Sequence, residues 1–213
     1  MNKETSPTSE ILAILDRSGS MGNCVKETID GYNAFIRRQI EDRPLRTRLT
    51  TVLFDDRYEL LHATIPLADA LPITPREYFP RGSTALFDAI GRTLDEAAAR
   101  ILAMPAERRP GRVVVLVITD GLENASVQYS AEDVRRLIAD RRSVGWEFFF
   151  LGAELDSFLD ADRLGIGSNR RARYKEGDSH HSLGHVSKTV KDFLVDGSLD
   201  DHWDEGLDPK GGK

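Results

Sequence analysis

The sequence has few of the residues that stabilise small secreted proteins or anchor a chain in a membrane. Its 213 residues include one cysteine, Cys24, which excludes an internal disulfide and a zinc site built from several cysteines. No stretch approaches the roughly 20 consecutive apolar residues that a bilayer-spanning helix needs. Residues Met1 to Glu10 lack the apolar segment of a signal peptide. These absences predict a cytoplasmic protein that has no membrane contact.

A net positive charge is also missing, because the 29 lysines and arginines are outnumbered by 35 aspartates and glutamates, for a formal net charge of −6. A negative balance disfavours nucleic acid and anionic membranes as the main partner. Two enzyme motifs are absent as well, the P-loop and the Gly-x-Ser-x-Gly nucleophile elbow. The glycine pair Gly165 and Gly167 is no dinucleotide fingerprint, since a third glycine is lacking and the pair does not follow the first strand.

The residues that are present predict one α/β domain with a sizeable core. Hydrophobic residues make up 40% of the chain and charged residues 30%, as in ordinary globular proteins. Short apolar runs predict strands at Ile11–Leu15, Arg48–Phe54, Tyr58–His62, Val113–Ile118, Trp146–Leu151 and Ala172–Tyr174. Apolar residues at helical spacing predict helices from Val25 to about Asp42, Ala85 to Ile101, Glu132 to Arg142, Leu155 to Leu164 and Leu183 to Leu194.

Alternating strands and helices predict a doubly wound, mostly parallel sheet with the Val113–Ile118 strand at its centre. The turn at Asp55–Arg57 is too short for a parallel crossover, so the strand after it must be antiparallel. The stretch from Ala63 to Pro80 is predicted to be an ordered loop with at most a helical turn. We expect a flexible N-terminus at 1–9, a domain at 10–195 and an acidic, glycine-rich flexible tail at 196–213.

Oxygen-bearing side chains follow two of the predicted strands and precede one helix. Asp16, Ser18 and Ser20 come directly after the first strand, Asp120 follows the Val113–Ile118 strand, and Thr84 precedes a helix. Ligands of doubly wound sheets bind at the carboxyl ends of the strands, where the strand order reverses. If the two strands are neighbours there, two carboxylates and three hydroxyls converge, and such hard oxygen ligands suit Mg²⁺, Mn²⁺ or Ca²⁺.

Each piece of this set also has a purely structural explanation when it is taken alone. Aspartate, serine and glycine favour turns, which explains both Asp16–Ser20 and the pair Asp120–Gly121. Thr84 suits the N-cap of a helix. Only the combination, in this order and at these strand ends, favours a metal site.

The same residues resemble the metal-ion-dependent adhesion site of von Willebrand factor A (VWA) domains. The stretches most similar to stand-alone bacterial VWA proteins are Asp16–Ser20, Thr51–Asp56, Gly82–Leu86 and Asp120–Ser126. The resemblance covers about Glu10 to Leu194 at the level of the fold. It implies a Rossmann-like sheet with one antiparallel edge strand and helices on both faces. It also implies that all five ligand positions are intact.

The resemblance assigns a role to each of these residues. It implies that Ser18 and Ser20 coordinate the ion directly, that Asp16 acts through water or a hydrogen bond, and that Thr84 and Asp120 alternate between direct and water-mediated contact. Mg²⁺ is the expected ion, with Mn²⁺ or Ca²⁺ as alternatives. Because the hydroxyls are neutral, the ion would accept an aspartate or glutamate from a protein partner. Bacterial relatives suggest an AAA+ ATPase system as the setting.

Three functions follow as hypotheses. The first is a non-enzymatic module that binds a cation and an acidic residue of a partner protein. The second is a metal-assisted hydrolase of phosphate or ester substrates, for which Glu123 is the only evident base. The third is a structural VWA fold with an empty site.

Other polar groups leave alternatives open. Asp55 and Asp56 could bind a second metal but suit a turn better, while Glu123 and Asn124 suit either the rim of the site or a solvated loop. Cys24 suits small-residue packing better than a reactive thiol. Two further segments have a solvated surface as the simpler interpretation. A transition metal could bind to the histidines at 180, 181 and 185. The acidic tail segment Asp200–Glu205 could act as a docking peptide.

Overall fold

The computed structural model describes residues 8–41, 46–152, 157–173 and 179–199. Its strands, numbered along the chain, are β1 (Ser9–Asp16), β2 (Thr47–Phe54), β3 (Tyr58–Pro66), β4 (Arg112–Thr119), β5 (Trp146–Gly152) and β6 (Arg171–Arg173). Its α-helices are α1 (Val25–Glu41), α2 (Leu86–Ala103), α3 (Ala131–Ser143), α4 (Ser157–Arg163) and α5 (Ser179–Asp196). Short 3-10 helices occupy Gly19–Asn23, Leu67–Asp69, Ala106–Arg108 and Ser168–Arg170.

The strands form one six-stranded sheet in the order β3-β2-β1-β4-β5-β6. Neighbouring strands are parallel except for β3, which pairs antiparallel with β2 at the edge. The two central strands are β1 and β4, and they pair from Ser9 beside Arg112 to Leu15 beside Ile118. The predicted sheet, its antiparallel edge strand and the central position of the Val113–Ile118 strand are therefore confirmed.

The apolar core is divided by the sheet into two layers. Successive residues of a strand point to opposite faces, so Ile11, Ala13 and Leu15 belong to one cluster and Leu12 and Ile14 to the other. The first cluster is completed by side chains of α1 and α5, and the second by side chains of α2, α3 and α4. Because both strand faces are covered, β1 is buried along its whole length.

Some predicted boundaries were wrong. The third strand does not end at His62 but continues to Pro66, because this edge strand is half exposed and carries no continuous apolar run. Its pairing with β2 is irregular near Thr51, and Thr64 has a positive φ of 55°. Near the N-terminus, β1 begins at Ser9, which the sequence analysis places in the flexible segment 1–9.

The remaining elements lie close to their predicted positions. Helix α4 is described from Ser157 onward, and residues 153–156 lie outside the described residues, so its predicted start at Leu155 stays a prediction. Strand β6 is described at Arg171–Arg173, so it begins one residue before its predicted start, and Tyr174 lies outside the described residues. Also outside the described residues are residues 1–7, the tail from 200 onward and the side chains of His180, His181 and His185. The predictions for those segments stay predictions.

The connection between β3 and α2 has little regular structure, but it is packed against the domain. Its apolar residues Leu67, Ile73 and Tyr78 are buried. Asn33 on α1 makes two hydrogen bonds to the backbone of Ile73: its Nδ2 donates to the carbonyl oxygen over 2.8 Å, and its Oδ1 accepts from the amide over 2.9 Å. These contacts therefore hold the loop before α2 in a fixed position against the sheet.

Candidate functional site

The candidate site lies at the carboxyl ends of β1 and β4, the neighbouring central strands. The chain leaves β1 through α1 toward β2 on one side, whereas β4 lies on the other side. Two loops that diverge in this way leave a crevice between them, which is the general ligand position in doubly wound sheets. Residues 16–20 form one wall of the crevice, and the loop that begins at Asp120 forms the opposite wall.

Asp16 is fully buried at the base of this crevice. Its Oδ1 accepts a hydrogen bond from the amide of Ser18 over 2.6 Å, and its Oδ2 accepts one from the Thr119 hydroxyl over 2.6 Å. Burial raises the pKa of Asp16, and these hydrogen bonds offset that effect only in part. A buried carboxylate is unstable in its charged form without a positive partner, so the crevice favours a cation.

The hydroxyl groups converge beside Gly121. Ser18 Oγ and Ser20 Oγ lie 3.0 Å apart. A Cβ placed on Gly121 would lie 2.7 Å from Thr84 Oγ1, 2.8 Å from Ser20 Oγ and 3.2 Å from Asp16 Oδ2. Three oxygens from two loops therefore surround one point beside Gly121 on a third loop, and this point is open only because residue 121 has no side chain.

Four of the five predicted ligands, Asp16, Ser18, Ser20 and Thr84, are thus brought together, and Asp120 directly precedes Gly121 in the same loop. Asp120 is partly exposed, and it interacts with neighbouring groups. In the described part of the chain no three His, Cys, Asp or Glu side chains gather around a common point. The donors are neutral hydroxyls with few carboxylates, and this oxygen set fits a hard divalent cation.

The loop after Asp120 is fixed to the beginning of α2 by Glu123. Its carboxylate accepts hydrogen bonds from the amides of Phe87 (2.9 Å), Ala125 (2.9 Å) and Ser126 (2.7 Å), and from the Ser126 hydroxyl (2.7 Å). The amide of Thr84 donates to the Asn124 side chain over 2.9 Å. Glu123 and Asn124 therefore position Thr84 and Asp120 relative to each other. Because both Glu123 oxygens are engaged, Glu123 is poorly placed to act as the base of a hydrolase.

The role of Arg17 has no signal in the sequence. Its side chain is fully buried, with Nε 3.3 Å from Asp55 Oδ2 and Nη2 2.6 Å from Glu59 Oε2. It also donates to the carbonyl oxygen of Glu77 over 3.2 Å, and its guanidinium carbon lies 5.2 Å from the centre of the Phe79 ring. Arginine is rarely buried unless it is paired, and only the placement of β2 beside β1 brings Asp55 within reach.

Asp55 therefore belongs to an ion-pair network. Its Oδ2 also lies 2.6 Å from Arg81 Nε, and its Oδ1 accepts from the Arg57 amide over 2.7 Å. Burial would raise the pKa of Asp55, but the Arg81 and Arg57 hydrogen bonds and the charges of Arg81 and Arg17 hold it below the ordinary value of 3.8. The turn interpretation of Asp55 is confirmed, and its carboxylate is occupied by arginines.

Backbone contacts join the loop before α2 to the Asp16 loop. The amide of Arg81 donates to the Arg17 carbonyl over 2.9 Å, and the amide of Gly19 donates to the Gly82 carbonyl over 3.1 Å. Gly82 has a φ of +65°, and a Cβ there would lie 2.1 Å from Asp56 Oδ1. The positive φ favours a glycine at 82, and any larger residue would also displace the exposed Asp56 side chain. In addition, the Tyr78 hydroxyl donates to the Asp16 carbonyl.

Cys24 lies at the end of the 3-10 helix that follows this loop. It is buried, and its Sγ lies 3.4 Å from the carbonyl oxygen of Met21. The packing interpretation of Cys24 agrees with this position.

No protein-family model matches the sequence, and no curated protein is significantly similar to it. Solved structures, in contrast, match over most of the chain. The vWF domain of the type V pili tip protein Mfa5 from Porphyromonas gingivalis is 11% identical, with a TM-score of 0.67 over 92% of this chain and 99% of that domain. A von Willebrand factor type A protein from Catenulispora acidiphila is 17% identical, with a TM-score of 0.56 over 89% of this chain and 43% of its own length. The fold is that of a VWA domain.

Two further solved structures are similar to this chain. Manganese-loaded TRAP protein from Plasmodium vivax is 16% identical, with a TM-score of 0.65 over 90% of this chain and 75% of TRAP. A D319A mutant of the PilB minor pilin from Streptococcus sanguinis is 11% identical, with a TM-score of 0.65 over 90% of this chain. This VWA domain spans only 63% of that pilin.

No helix in the described ranges is both long enough and apolar enough to cross a membrane. The bacterial origin and the cytoplasmic location of this VWA domain stay predictions.

Proposed function

We propose that this VWA domain is a non-enzymatic protein-interaction module that binds a divalent cation, preferentially Mg²⁺, together with an acidic residue of a partner protein. The ligands would be Asp16, Ser18, Ser20, Thr84 and Asp120. The observation that carries the proposal is the convergence of three oxygens on the open point beside Gly121. A cation bound there would supply a positive centre for the carboxylate of the partner.

The roles of the protein residues follow from their charges. Ser18, Ser20 and Thr84 contribute oxygen without negative charge, so the bound positive charge would be only partly compensated by the domain itself. Asp16 is held in one orientation by Ser18 and Thr119, and it would orient the hydroxyls around the ion. A carboxylate of the partner would complete the charge balance. An AAA+ ATPase system is the partner class that we propose to test first.

Hydrolysis of a phosphate or ester is less well supported by these contacts. The only base that the loops offer is Glu123, and its two oxygens accept four hydrogen bonds from residues 87, 125 and 126. A hydrolytic base must be able to take a proton from a nearby water. Turnover by the pure protein that disappears in Asp120→Ala would nevertheless establish the hydrolase in place of the module.

The metal part of the proposal is tested by titrating the chain with Mg²⁺, Mn²⁺ and Ca²⁺ in a calorimeter. We expect binding by the wild type and its loss in Ser18→Ala, because that variant removes a proposed ligand whose Oγ lies 3.0 Å from Ser20 Oγ. Ser83→Ala is the matched control, since Ser83 is exposed and adjacent to Thr84 but is not a proposed ligand. If the wild type shows neither heat nor stabilisation up to millimolar Mn²⁺, the structural fold with an empty site is correct.

The partner part is tested by affinity capture in Mg²⁺ and in chelator with the same three proteins. A specific partner should be retained by the wild type and Ser83→Ala only in Mg²⁺, and Ser18→Ala should lose it. The interface residue is then identified by replacing each acidic residue on the partner with its amide. Capture that is equally strong in chelator would contradict the proposed role of the ion.

A further inference from the structure

A cavity of about 620 Å³ lies at the opposite end of the sheet from the candidate metal site. It is formed where β1, β2 and β4 begin, together with the segment that connects α2 to β4. Its volume lies in the range of roughly 300–1,000 Å³ that is typical of small-molecule sites. The lining residues with charged or large apolar side chains include Glu10, Arg46, Arg48, Met104, Arg108 and Arg109.

The charge of this lining is opposite to that of the whole chain. Four arginines face two glutamates in the cavity, whereas the chain carries a formal net charge of −6. One of these glutamates, Glu10, is buried and forms an ion pair with Arg100 on α2. Its negative charge is therefore already compensated, and only the exposed Glu107 remains to balance the four arginines.

In the described part of the chain none of the four arginines forms a close ion pair with a carboxylate, and Arg48 acts on Glu10 only through the longer-range attraction of their charges. Arg46 and Arg108 are exposed, and their side chains have neither a hydrogen bond nor an ion pair there. Arg48 donates to the carbonyl oxygen of Thr64. Many other arginines of the domain do have acidic partners, for example Arg17, Arg81 and Arg171. Guanidinium groups that gather without carboxylates repel one another, and an anion between them would relieve that repulsion.

The walls of the cavity are held in place by contacts within the domain. Arg109 donates to the carbonyl oxygens of Leu102 (2.9 Å) and Met104 (3.1 Å) at the end of α2. The amide of Gly111 donates to the carbonyl of Thr8 over 2.8 Å, so the connection before β4 is joined to the beginning of β1. A site that is already formed loses little conformational entropy on binding.

From this arrangement we infer that the cavity binds a small organic phosphate with at least two phosphate charges, such as a nucleoside diphosphate. A guanidinium donates two parallel hydrogen bonds to a phosphate, which makes arginine the favoured side chain for this anion. The non-phosphate part of the ligand would pack against Met104, Pro110 and the aliphatic portions of the arginines. This inference is independent of the metal site, which lies at the other end of β1.

The experiment is calorimetric titration of the full chain with ADP in EDTA and low salt, which keeps divalent cations away from both ends of the domain. The wild type should bind ADP, pyrophosphate should compete with ADP, and adenosine should not bind. The double variant Arg46→Ala/Arg108→Ala should bind ADP roughly tenfold or more weakly, because two charge-assisted contacts are lost. Added salt should weaken the binding.

Arg37→Ala provides the matched control, since Arg37 is exposed on α1 and does not line the cavity. This variant and Ser18→Ala should both bind ADP as the wild type does. Absence of heat with ADP and pyrophosphate at millimolar concentration would overturn the inference, and so would unchanged affinity in the double variant. Loss of ADP binding in Ser18→Ala would place the phosphate at the metal site instead. Tight binding of a single-stranded oligonucleotide, without binding of ADP, would identify a nucleic-acid contact in its place.

Discussion

The guanidinium of Arg17 and the carboxylate of Asp55 form an ion pair in which neither side chain is exposed to solvent. Arg17 stands between Asp16 and Ser18, so the pair fixes the loop that contributes three of the five proposed ligands. Glu59 and Arg81 extend the pair toward the surface. The geometry of the candidate site thus depends on an electrostatic contact that is not part of the site.

Asp55→Asn should destabilise the domain strongly, because it leaves the buried Arg17 charge with only the half-exposed Glu59 as an acidic partner. Breaking one side of a buried ion pair costs about 3–5 kcal/mol of unfolding free energy. Chemical denaturation followed by circular dichroism measures this difference. The control is Lys26→Ala, which removes an exposed ion pair to Asp30 and should cost under about 1 kcal/mol. Equal losses in the two variants would show that burial does not strengthen the Arg17 contact.

The stability conferred by Asp55 should depend on pH. Its folded-state pKa lies below the ordinary value of 3.8, so its contribution is fully present above that value and is lost as the pH falls through the folded-state pKa. The difference in unfolding free energy between wild type and Asp55→Asn should therefore be largest above about pH 4 and shrink as the pH falls further. Denaturation curves of both proteins at several pH values test this. A constant difference would contradict the lowered pKa.

Gly121→Ala should abolish stabilisation by divalent cations. The added Cβ would lie 2.7 Å from Thr84 Oγ1 and 2.8 Å from Ser20 Oγ, and would occupy the point on which the oxygens converge. If the wild type is saturated at about 100 times its dissociation constant, the ion should add about 2.7 kcal/mol to its unfolding free energy. Thermal unfolding with Mn²⁺ and with chelator measures that increment.

Gly22→Ala is the control for this variant, because Gly22 lies in the adjacent 3-10 helix and a Cβ there meets nothing within 4 Å. It should retain the full increment. A Gly121→Ala protein that Mn²⁺ stabilises as much as the wild type would contradict the proposed site.

Gly91→Ala should destabilise α2, although alanine ordinarily favours a helix over glycine by about 1 kcal/mol. The reason is that a Cβ at 91 would lie 2.4–2.8 Å from three ring atoms of Tyr129. In a Tyr129→Ala background the clash is absent, so the same substitution should become stabilising. The unfolding free energies of the four proteins in this cycle test the expected change of sign. Destabilisation in both backgrounds would show that another contact requires the glycine.

The parts of the fold that the sequence predicts well are those with unambiguous patterns. The apolar runs of β1 and β4 indicated buried parallel strands, and the short Asp55–Arg57 turn required an antiparallel neighbour. Strand β3 was predicted too short because an edge strand with mixed polarity has no clear period. Residues 153–156 and 200–213 are outside the described residues, so the helix start at Leu155 and the tail stay predictions.

The oxygen ligands of the site could be proposed because their chemistry and their positions at strand ends are both visible in the sequence. The residues that hold these ligands in position could not be proposed from the sequence. Arginine is usually exposed, so nothing in the sequence marks Arg17 as buried. Its partner Asp55 becomes its neighbour only because β2 pairs with β1. The sequence suggests Glu123 as a base. Its hydrogen bonds to the beginning of α2 could not be predicted, because they depend on two segments that are far apart in the chain. Contacts of this kind carry no local signal.

The two hydrogen bonds between Asn33 and Ile73 reproduce the donor and acceptor pattern of a backbone peptide group, because a side-chain amide has both functions. The Asn33 side chain therefore makes the hydrogen bonds to Ile73 that a neighbouring strand would make in a sheet. Local unfolding of this connection requires both bonds to break and Ile73 and Tyr78 to leave the core. We therefore expect slow amide exchange and resistance to proteases in this segment, although it has little regular structure.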